Sequence, residues 1–242
     1  MPNIKLSVIV PCYNEEKRFQ KGFGHYYTYL KKQKYPWELI LVNDGSKDAT
    51  YDLMMTATKN RPNVKVINYA PNRGKGYAIV QGIKAARGKY ILFTDIDHSV
   101  PIATIGSFYQ YFDKGFEVLI GSRRVKGARI LVHQRLIREF LGQGFTLLVK
   151  LIIDWRIRDA TCGFKAFENK TALKIFGKIC IFDWAFDAEI LFLCKKFNIK
   201  IIQAPVVWSD VRGTKVSLGK DIARSFLGLI KIRWNDLQGR YK

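Results

Sequence analysis

Within the first hundred residues, four short apolar runs each stop at a polar turn, and a segment of helical character separates each run from the next. The runs are KLSVIV (5–10), ELILV (38–42), VKVIN (64–68) and YILFT (90–94). Runs this short and this rich in Val, Ile and Leu read as strands buried on both faces. Between the first two, Phe19, Phe23, Tyr26, Tyr27 and Leu30 recur at helical spacing despite Gly22 and Gly24. An amphipathic helix with its aromatics in the core is expected there. Further helices are expected from the turn Asp44–Asp48 to about Lys59, and from APNRGKG through Ala86. The resulting β-α-β-α-β-α-β order predicts an α/β fold with a mostly parallel central sheet flanked by helices. Ligands of such sheets collect at the carboxyl ends of the strands, so the turns PCYNEE, NDGSKDAT, APNRGKG and DIDHS should converge.

The fourth run ends on Asp95 and Asp97. Alternate strand residues face opposite sides, so these carboxylates share a target only where the strand has ended and the backbone turns. Mg²⁺ or Mn²⁺ is the natural target, because such a cation sits between one or two carboxylates and the phosphates of a substrate. Alone, Asp-x-Asp is as well read as a solvated loop, and its weight comes from the turns around it. Two other nucleotide-binding patterns fail. NRGKGYAI lacks the third glycine of a dinucleotide fingerprint, and Gly82 to Gly88 has the wrong spacing for a P-loop, with no Ser or Thr after Lys89.

The second half reads as a helix at 103–114, a strand at 116–122, and a basic run with Arg123, Arg124, Lys126, Arg129, Arg135 and Arg138. An unusually apolar helix at 136–153 follows, then RDATCGFKAF, helices at 170–177 and 184–197, and a strand at 200–208. A loop with Arg212 and Lys215 leads to a basic amphipathic helix at 219–237. One catalytic domain over 1–215 is expected, with a nucleotide half (1–100) and an acceptor half (101–215), followed by the C-terminal helix (216–242). Apolar residues at 48% and aromatics at 14% exclude a disordered chain. Lys plus Arg number 41 against 20 Asp plus Glu, a net charge of +21 that fits nucleic acid, an anionic membrane or phosphorylated substrates. The cysteines at 12, 162, 180 and 194 are scattered, so neither a zinc site nor a disulfide framework is implied, and a reducing cytosolic setting is expected. No apolar run reaches the length of a spanning helix.

Taken in order, PCYNEE, NDGSKDAT, NRGKG and DID resemble the nucleotide-sugar half of glycosyltransferase family 2, whose Rossmann-like GT-A fold binds UDP- or GDP-sugars. The resemblance implies that Pro11, Tyr13, Glu15 and Asp44 hold base and ribose, that Lys75 lies near the diphosphate, and that Asp95 and Asp97 bind the metal. Asn43 departs from the pattern, where the family often has a second Asp. GSRR, HQRLIRE, RDATCGFKAF, WAFDAEI and VRGTKVS resemble the eukaryotic dolichyl-phosphate β-glucosyltransferases more than the mannose synthases. The similarity covers nearly the whole chain. It implies an inverting, metal-dependent transfer of a hexose, glucose from UDP-glucose, to a polyprenyl or dolichyl phosphate. Those enzymes carry an N-terminal membrane helix, whereas this sequence opens on a strand pattern, so a peripheral anchor is expected. In the related mannose synthases the residues matching Arg212 and Lys215 contact donor phosphates.

Chemistry adds to the resemblance. A departing diphosphate develops charge that metal and fixed cations must neutralise, and Arg212 and Lys215 sit on a glycine-containing loop suited to that. Arg123, Arg135 and Arg138 are expected to grip the acceptor phosphate, since Arg binds phosphate bidentately. That oxygen is already ionised near neutral pH, its second pKa being about 6, so it needs orientation and no general base. A sugar hydroxyl acceptor would need one, and Asp187 is the candidate. Asp97 and Asp187 are therefore the expected catalytic carboxylates, with Glu189 facing elsewhere on the same helix. Asp159 is read as a partner for a nearby Arg, Cys162 as a packed thiol, and His98 as a solvated neighbour of the metal pair more than a ligand. Residues 140–155 fit either a core helix or one that dips into a membrane surface. The C-terminal helix mixes Phe226, Leu227, Leu229, Ile230 and Trp234 with Lys and Arg, the pattern of a monotopic anchor at the cytoplasmic face of an anionic membrane. Two rivals remain: a soluble hydroxyl acceptor, and a nucleic-acid-binding module. The second is not expected, because the cations bracket the nucleotide turns instead of tracking a groove.

Overall fold

The computed structural model describes residues 3–211 and 220–242, with side chains omitted for 220–223. The loop holding Arg212 and Lys215 therefore lies outside the described residues. The first hundred residues follow the expected order: β1 (Leu6–Cys12), α1 (Glu16–Lys31), β2 (Trp37–Asp44), α2 (Thr50–Thr58), β3 (Val64–Tyr69), α3 (Lys75–Ala85) and β4 (Tyr90–Phe93). Then come a 3₁₀ turn (Ile102–Thr104), α4 (Ile105–Asp113), β5 (Val118–Ser122), β6 (Arg129–Val132), α5 (Leu136–Ile152) and β7 (Lys165–Glu168). The chain continues through α6 (Asn169–Phe176), α7 (Phe186–Lys196), β8 (Ile201–Pro205), β9 (Val207–Ser209) and α8 (Lys220–Leu237).

Seven strands form one sheet in the order β3-β2-β1-β4-β7-β5-β8. β1 lies parallel between β2 and β4, with Leu6 opposite both Trp37 and Tyr90. That register brings the ends of β1, β2 and β4 to one edge. β7 runs antiparallel to both of its neighbours, β4 and β5. The apolar runs are continuous because both sheet faces are covered. Ile9, Ile40, Val42, Ile91 and Phe93 join the core under α3, α6 and α7, whereas Val8, Val10, Leu39, Leu41 and Leu92 join the core under α1 and α4. Leu229 and Ile232 of α8, and Tyr241 beyond it, belong to the first of these cores.

Three sequence expectations need correction. The strand expected over 200–208 breaks at Val206, because Pro205 has no N–H to extend a ladder. Val206 N–H instead donates to Ser122 O (3.2 Å), and its carbonyl accepts from Arg129 N (3.0 Å), which starts a separate two-stranded sheet of β6 and β9. β6 and β7, four residues each, were not expected as strands. The helix expected from 184 begins at Phe186, after a turn in which Asp183 Oδ1 accepts the Ala185 N–H (3.0 Å). The segment 140–155, left open between a core helix and one at a membrane surface, lies mostly in α5, and its helix is divided between two faces. Val149 and Ile153 are buried, while Leu136, Phe140, Leu147, Leu151 and Trp155 are more than half exposed on the other face. Among the described residues no helix is long and apolar enough to cross a membrane.

Helix α1 reaches the carboxyl edge through Gly22, where a Cβ would stand 2.0 Å from the Ile96 carbonyl oxygen, between Asp95 and Asp97. Gly24, on the same helix, has nothing within 4 Å of its Cβ position. Ala is favoured over Gly in helices by about 1 kcal/mol, so Gly24→Ala should raise the free energy of unfolding by up to that amount. Gly22→Ala should lower it by roughly 1–3 kcal/mol, the scale of core overpacking. Denaturant melts of both variants check the opposite signs, and a stabilised Gly22→Ala would contradict the packing described.

Candidate active site

The turns after β1 and β2 are tied together before any ligand arrives. Asn14 N–H donates to Ser46 Oγ (2.9 Å), Lys47 N–H to Asn14 Oδ1 (2.7 Å), and Glu15 N–H to Thr50 Oγ1 (2.6 Å). Asn14 takes the left-handed φ of 53° that this tight exchange requires. Pro11 sits in β1 opposite Val42, and Tyr13 is half-buried in the turn. Both Glu15 oxygens are held by Arg18, through Nε (2.7 Å) and Nη2 (2.7 Å). Asp44, at the end of β2, is 3% exposed and organises the next turn. Its Oδ1 accepts from Arg73 N–H (2.8 Å), and its Oδ2 from Asn72 Nδ2 (2.8 Å) and Gly74 N–H (3.0 Å). Burial pushes the Asp44 carboxyl up against the pull of these donors. The Tyr69 hydroxyl, raised by burial and by Asp44 beside it, is buried with no hydrogen-bond partner of good geometry among the described residues. A polar ligand against Asp44 would supply one.

Lys75 is the first residue of α3, and its ammonium meets Asp95 Oδ1. Burial works against the Lys75 charge, but Asp95, Asp187 and Asp97 around it hold it above its ordinary range. The Asp95 backbone is fixed from below by Tyr26, whose hydroxyl donates to the Asp95 carbonyl. Gly163 closes over the pair: a Cβ there would lie 2.1 Å from Asp95 Oδ2 and 3.5 Å from Lys75 Nζ. Asp97 Oδ1 accepts from Ser99 N–H (3.0 Å) and Ser99 Oγ (2.8 Å). Burial first, and the Asp95 charge second, push the Asp97 carboxyl up despite both bonds. Two coupled carboxylates short of positive charge suit a hard divalent cation that shares its remaining positions with phosphate oxygens. No group of three or more His, Cys, Asp or Glu able to hold a metal occurs among the described residues. His98 is not available as a third ligand through Nε2, which accepts from Ile102 N–H (3.2 Å). Its ring stacks on His25 at 4.4 Å, and burial with that neighbour lowers its pKa to about 4.

The acceptor half departs further from expectation. Arg123 is only 12% exposed, and its Nε and Nη2 grip the fully buried Asp159 at 2.8 and 2.7 Å, with a further bond to Thr161 Oγ1 (2.9 Å). Its ring partner is Trp208, 5.3 Å from the guanidinium carbon. Burial works against the Arg123 charge, but the Asp159 charge and hydrogen bonds together hold Arg123 above its usual range, while Arg123 holds Asp159 below its own. Arg123 thus braces the loop 159–163 that carries Gly163 to Asp95, rather than offering a free fork to an acceptor. Arg124, which the sequence did not single out, is half-buried and its pKa is lowered by desolvation. It lines a small pocket with Ile130, His133, Gln134 and Trp208. Arg135 is exposed at the start of α5, and Arg138 is half-buried one turn later.

Asp187 lies near enough to act on the Lys75 charge, and it is paired with Lys165 Nζ at 2.5 Å. Lys165 is fully buried and also donates to Cys162 O (2.7 Å). A lysine amid apolar neighbours in GFKAF gives no hint of burial by itself. The only sequence signal for it is that a buried Asp187 needs a cation. Glu189 points away from the cluster, as expected, and is buried beneath the segment 178–185.

Residues 7–176 match the profile of Glycosyl transferase family 2. Among curated proteins the chain is 32% identical over 252 residues to "Dolichyl-phosphate beta-glucosyltransferase" of Dictyostelium discoideum, covering 99% of this chain and 77% of that one. It is 33% identical over 258 residues to the protein of that name from Saccharomyces cerevisiae, with the same shares of 99% and 77%. Among solved structures, glucosyl-3-phosphoglycerate synthase of Mycobacterium tuberculosis in complex with UDP superposes with a TM-score of 0.66 at 16% identity, over 95% of this chain and 80% of that one. S. aureus TarS 1–349 in complex with UDP-GlcNAc gives 0.58 at 21% identity, over 95% and 65%. These two likenesses establish the shared GT-A fold. With its carboxylate turn at the edge of a mostly parallel sheet and a profile match over most of its length, the chain belongs to glycosyltransferase family 2.

Proposed function

We propose that this enzyme transfers glucose from UDP-glucose to dolichyl or another polyprenyl phosphate, with inversion at the anomeric carbon, at the cytoplasmic face of an anionic membrane. The observation that carries the donor side is the cluster of Lys75, Asp95 and Asp97 at the strand edge. Asp95 and Asp97 would hold Mg²⁺ or Mn²⁺, which supplies Lewis-acid neutralisation of the diphosphate. Lys75 meets the diphosphate from the start of α3, where the helix N-terminus also favours an anion. Asp44 and Tyr69 offer hydrogen bonds to ribose and base, with Pro11, Tyr13 and Glu15 forming the neighbouring wall. Arg212 and Lys215 remain the proposed outer cations on the diphosphate.

The acceptor oxygen enters opposite the nucleotide. It forms a bond to C1 of the sugar while the C1–O bond to UDP breaks and its electron pair leaves with UDP. A phosphate monoester needs no base, since its second pKa is about 6. This agrees with an Asp187 carboxylate already occupied by Lys165. Arg124, Arg135 and Arg138 are the proposed cations for the lipid phosphate, with Arg123 fixing the loop behind them. The identity with curated dolichyl-phosphate β-glucosyltransferases supports glucose and the lipid acceptor. The exposed apolar faces of α5 (Leu136, Phe140, Leu151) and α8 (Leu227, Ile230, Trp234) support an interfacial seat. The net charge of +21 favours an anionic leaflet.

Incubation of labelled UDP-glucose with dolichyl phosphate and Mn²⁺ in detergent should give an organic-extractable, acid-labile product. Label that stays wholly in water would reject the lipid acceptor. The acceptor kcat/KM should fall as pH drops through about 6, following the phosphate's second ionisation. Asp97→Asn should lower turnover roughly 100-fold or more, the scale of several kcal/mol that a metal supplies. The same substitution should raise the melting temperature of the metal-free protein at neutral pH. A carboxyl pushed up by burial and by Asp95 is destabilising when ionised, and the carboxamide removes that charge while keeping an acceptor for Ser99. A variant that turns over normally and melts lower would refute the metal assignment.

A further inference from the structure

Glu189 is a fully buried carboxylate that the reaction does not use, and burying such a group is costly unless it is bonded. Its partners are specific. Oε2 accepts from Ile181 N–H (2.9 Å), Oε1 from Cys180 N–H (3.1 Å), and the fully buried Tyr241 hydroxyl donates to Oε1 as well. Asn235 Nδ2 supports Tyr241 from the end of α8 (3.3 Å). Glu189 thus ties the last residues of the chain to the segment 178–185. That segment has a second contact at its far end, because the Phe182 carbonyl accepts the Gly76 N–H (3.0 Å). Here two backbones touch directly: a Cβ on Gly74 would lie 2.6 Å from Phe182 O, and one on Gly76 would lie 2.9 Å from Phe182 Cα. Between these glycines stands Lys75. A third contact closes the unit, since a Cβ on Gly228 of α8 would fall 2.3 Å from Ala185 Cβ.

We propose that Glu189 and Tyr241 are positioning residues for the donor site: they fasten segment 178–185, whose grip on Gly76 sets Lys75 against Asp95. The proposal rests on the reading that Lys75 meets the donor diphosphate. It adds that the helix proposed to lie on the membrane is bolted through its inner face to the donor turn. A filler role for Glu189 would be met equally by an apolar side chain. A carboxylate that collects two backbone N–H groups and a phenol instead fixes the direction of the segment. Misplacement of a positioning group by about 1 Å costs up to 100-fold in rate, and backbone-to-backbone contact at Gly74 and Gly76 leaves no flexible side chain to absorb such a shift.

The test compares Tyr241→Phe, Glu189→Gln and their double variant with Ile175→Val, a substitution in the α6 core that reports generic destabilisation. UDP binding with Mn²⁺ and no acceptor is measured by calorimetry, and amide exchange is followed at Ile181 and Gly76. Tyr241→Phe should weaken UDP binding and raise the donor KM about tenfold, leave the acceptor KM unchanged, and speed exchange at both amides. The double variant should be no worse than the worse single, as expected of residues that act as one unit. Unchanged UDP affinity and unchanged Gly76 exchange in Tyr241→Phe would overturn the proposal, as would equal changes in Ile175→Val at the same loss of melting temperature. Lys75→Ala is run alongside. If it binds UDP normally, the donor reading fails, while exchange at Gly76 still decides whether the fastening exists.

Discussion

The constraint on which this structure turns is the gathering of three aspartates, Asp95, Asp97 and Asp187, within one another's field at the edge of a sheet. Like charges held together in a partly dry site repel one another, and cations placed beside them offset that cost. Two cations are built in. Lys75 answers Asp95, and Lys165 answers Asp187. Among the described residues Asp97 is hydrogen-bonded by Ser99 and feels Lys75, yet burial first, and the Asp95 charge second, still push its carboxyl up. Among the described residues the cluster thus holds one carboxylate without a paired cation, beside the lysine proposed to meet the diphosphate. A dication with a nucleotide diphosphate removes both imbalances at once, which an isolated acidic loop would not do.

Holding that cluster requires backbone to approach side chain more closely than a Cβ allows. Gly22 admits the Ile96 carbonyl from the α1 side, and Gly163 admits Asp95 Oδ2 from the acceptor side. Tyr26 then pins the Asp95 carbonyl from within the core. The second approach depends on loop 159–163, which has its own anchor in the Arg123–Asp159 pair. Removing one partner of a buried pair costs about 3–5 kcal/mol because it strands the other. Arg123 accordingly supports the Asp95 turn as much as the part of the chain where its sequence neighbours lie.

The donor half was legible because its signals are local. A strand buried on both faces must be a continuous apolar run, and the turn that follows it must be polar, so β1 to β4 and the residues at their ends could be read directly. The acceptor half depends on pairings that sequence does not display. β7 is four residues, KAFE, and it becomes a central strand only because β4 and β5 leave an antiparallel slot for it. Asp159 reads as the partner of some nearby Arg, but that it is Arg123, 36 residues away in sequence, shows only in the fold. Asp187 reads as an available base until Lys165 is found beside it. From sequence, Asp159 is matched to an arginine that is not specified and Asp187 is matched to no partner, because both pairings are set by tertiary contact.

The same reasoning accounts for the chain's excess of positive charge. Lysines 75 and 165 are spent on the aspartate cluster and Arg123 on Asp159, but each such pair is neutral, so the net charge of +21 is carried by other residues. Part of it lies on the helices whose outer faces are apolar: Arg135 and Arg138 at the start of α5, Arg224, Lys231 and Arg233 along α8. An apolar helix face in water is a liability unless something covers it, and a ring of cations narrows what that cover is. An anionic lipid surface satisfies both at once: acyl chains for Phe140, Leu151 and Trp234, and headgroups for the arginines. It also brings a lipid phosphate to the side of the sheet where Arg124 and Trp208 stand, so the proposed seat and the proposed acceptor follow from one arrangement of residues.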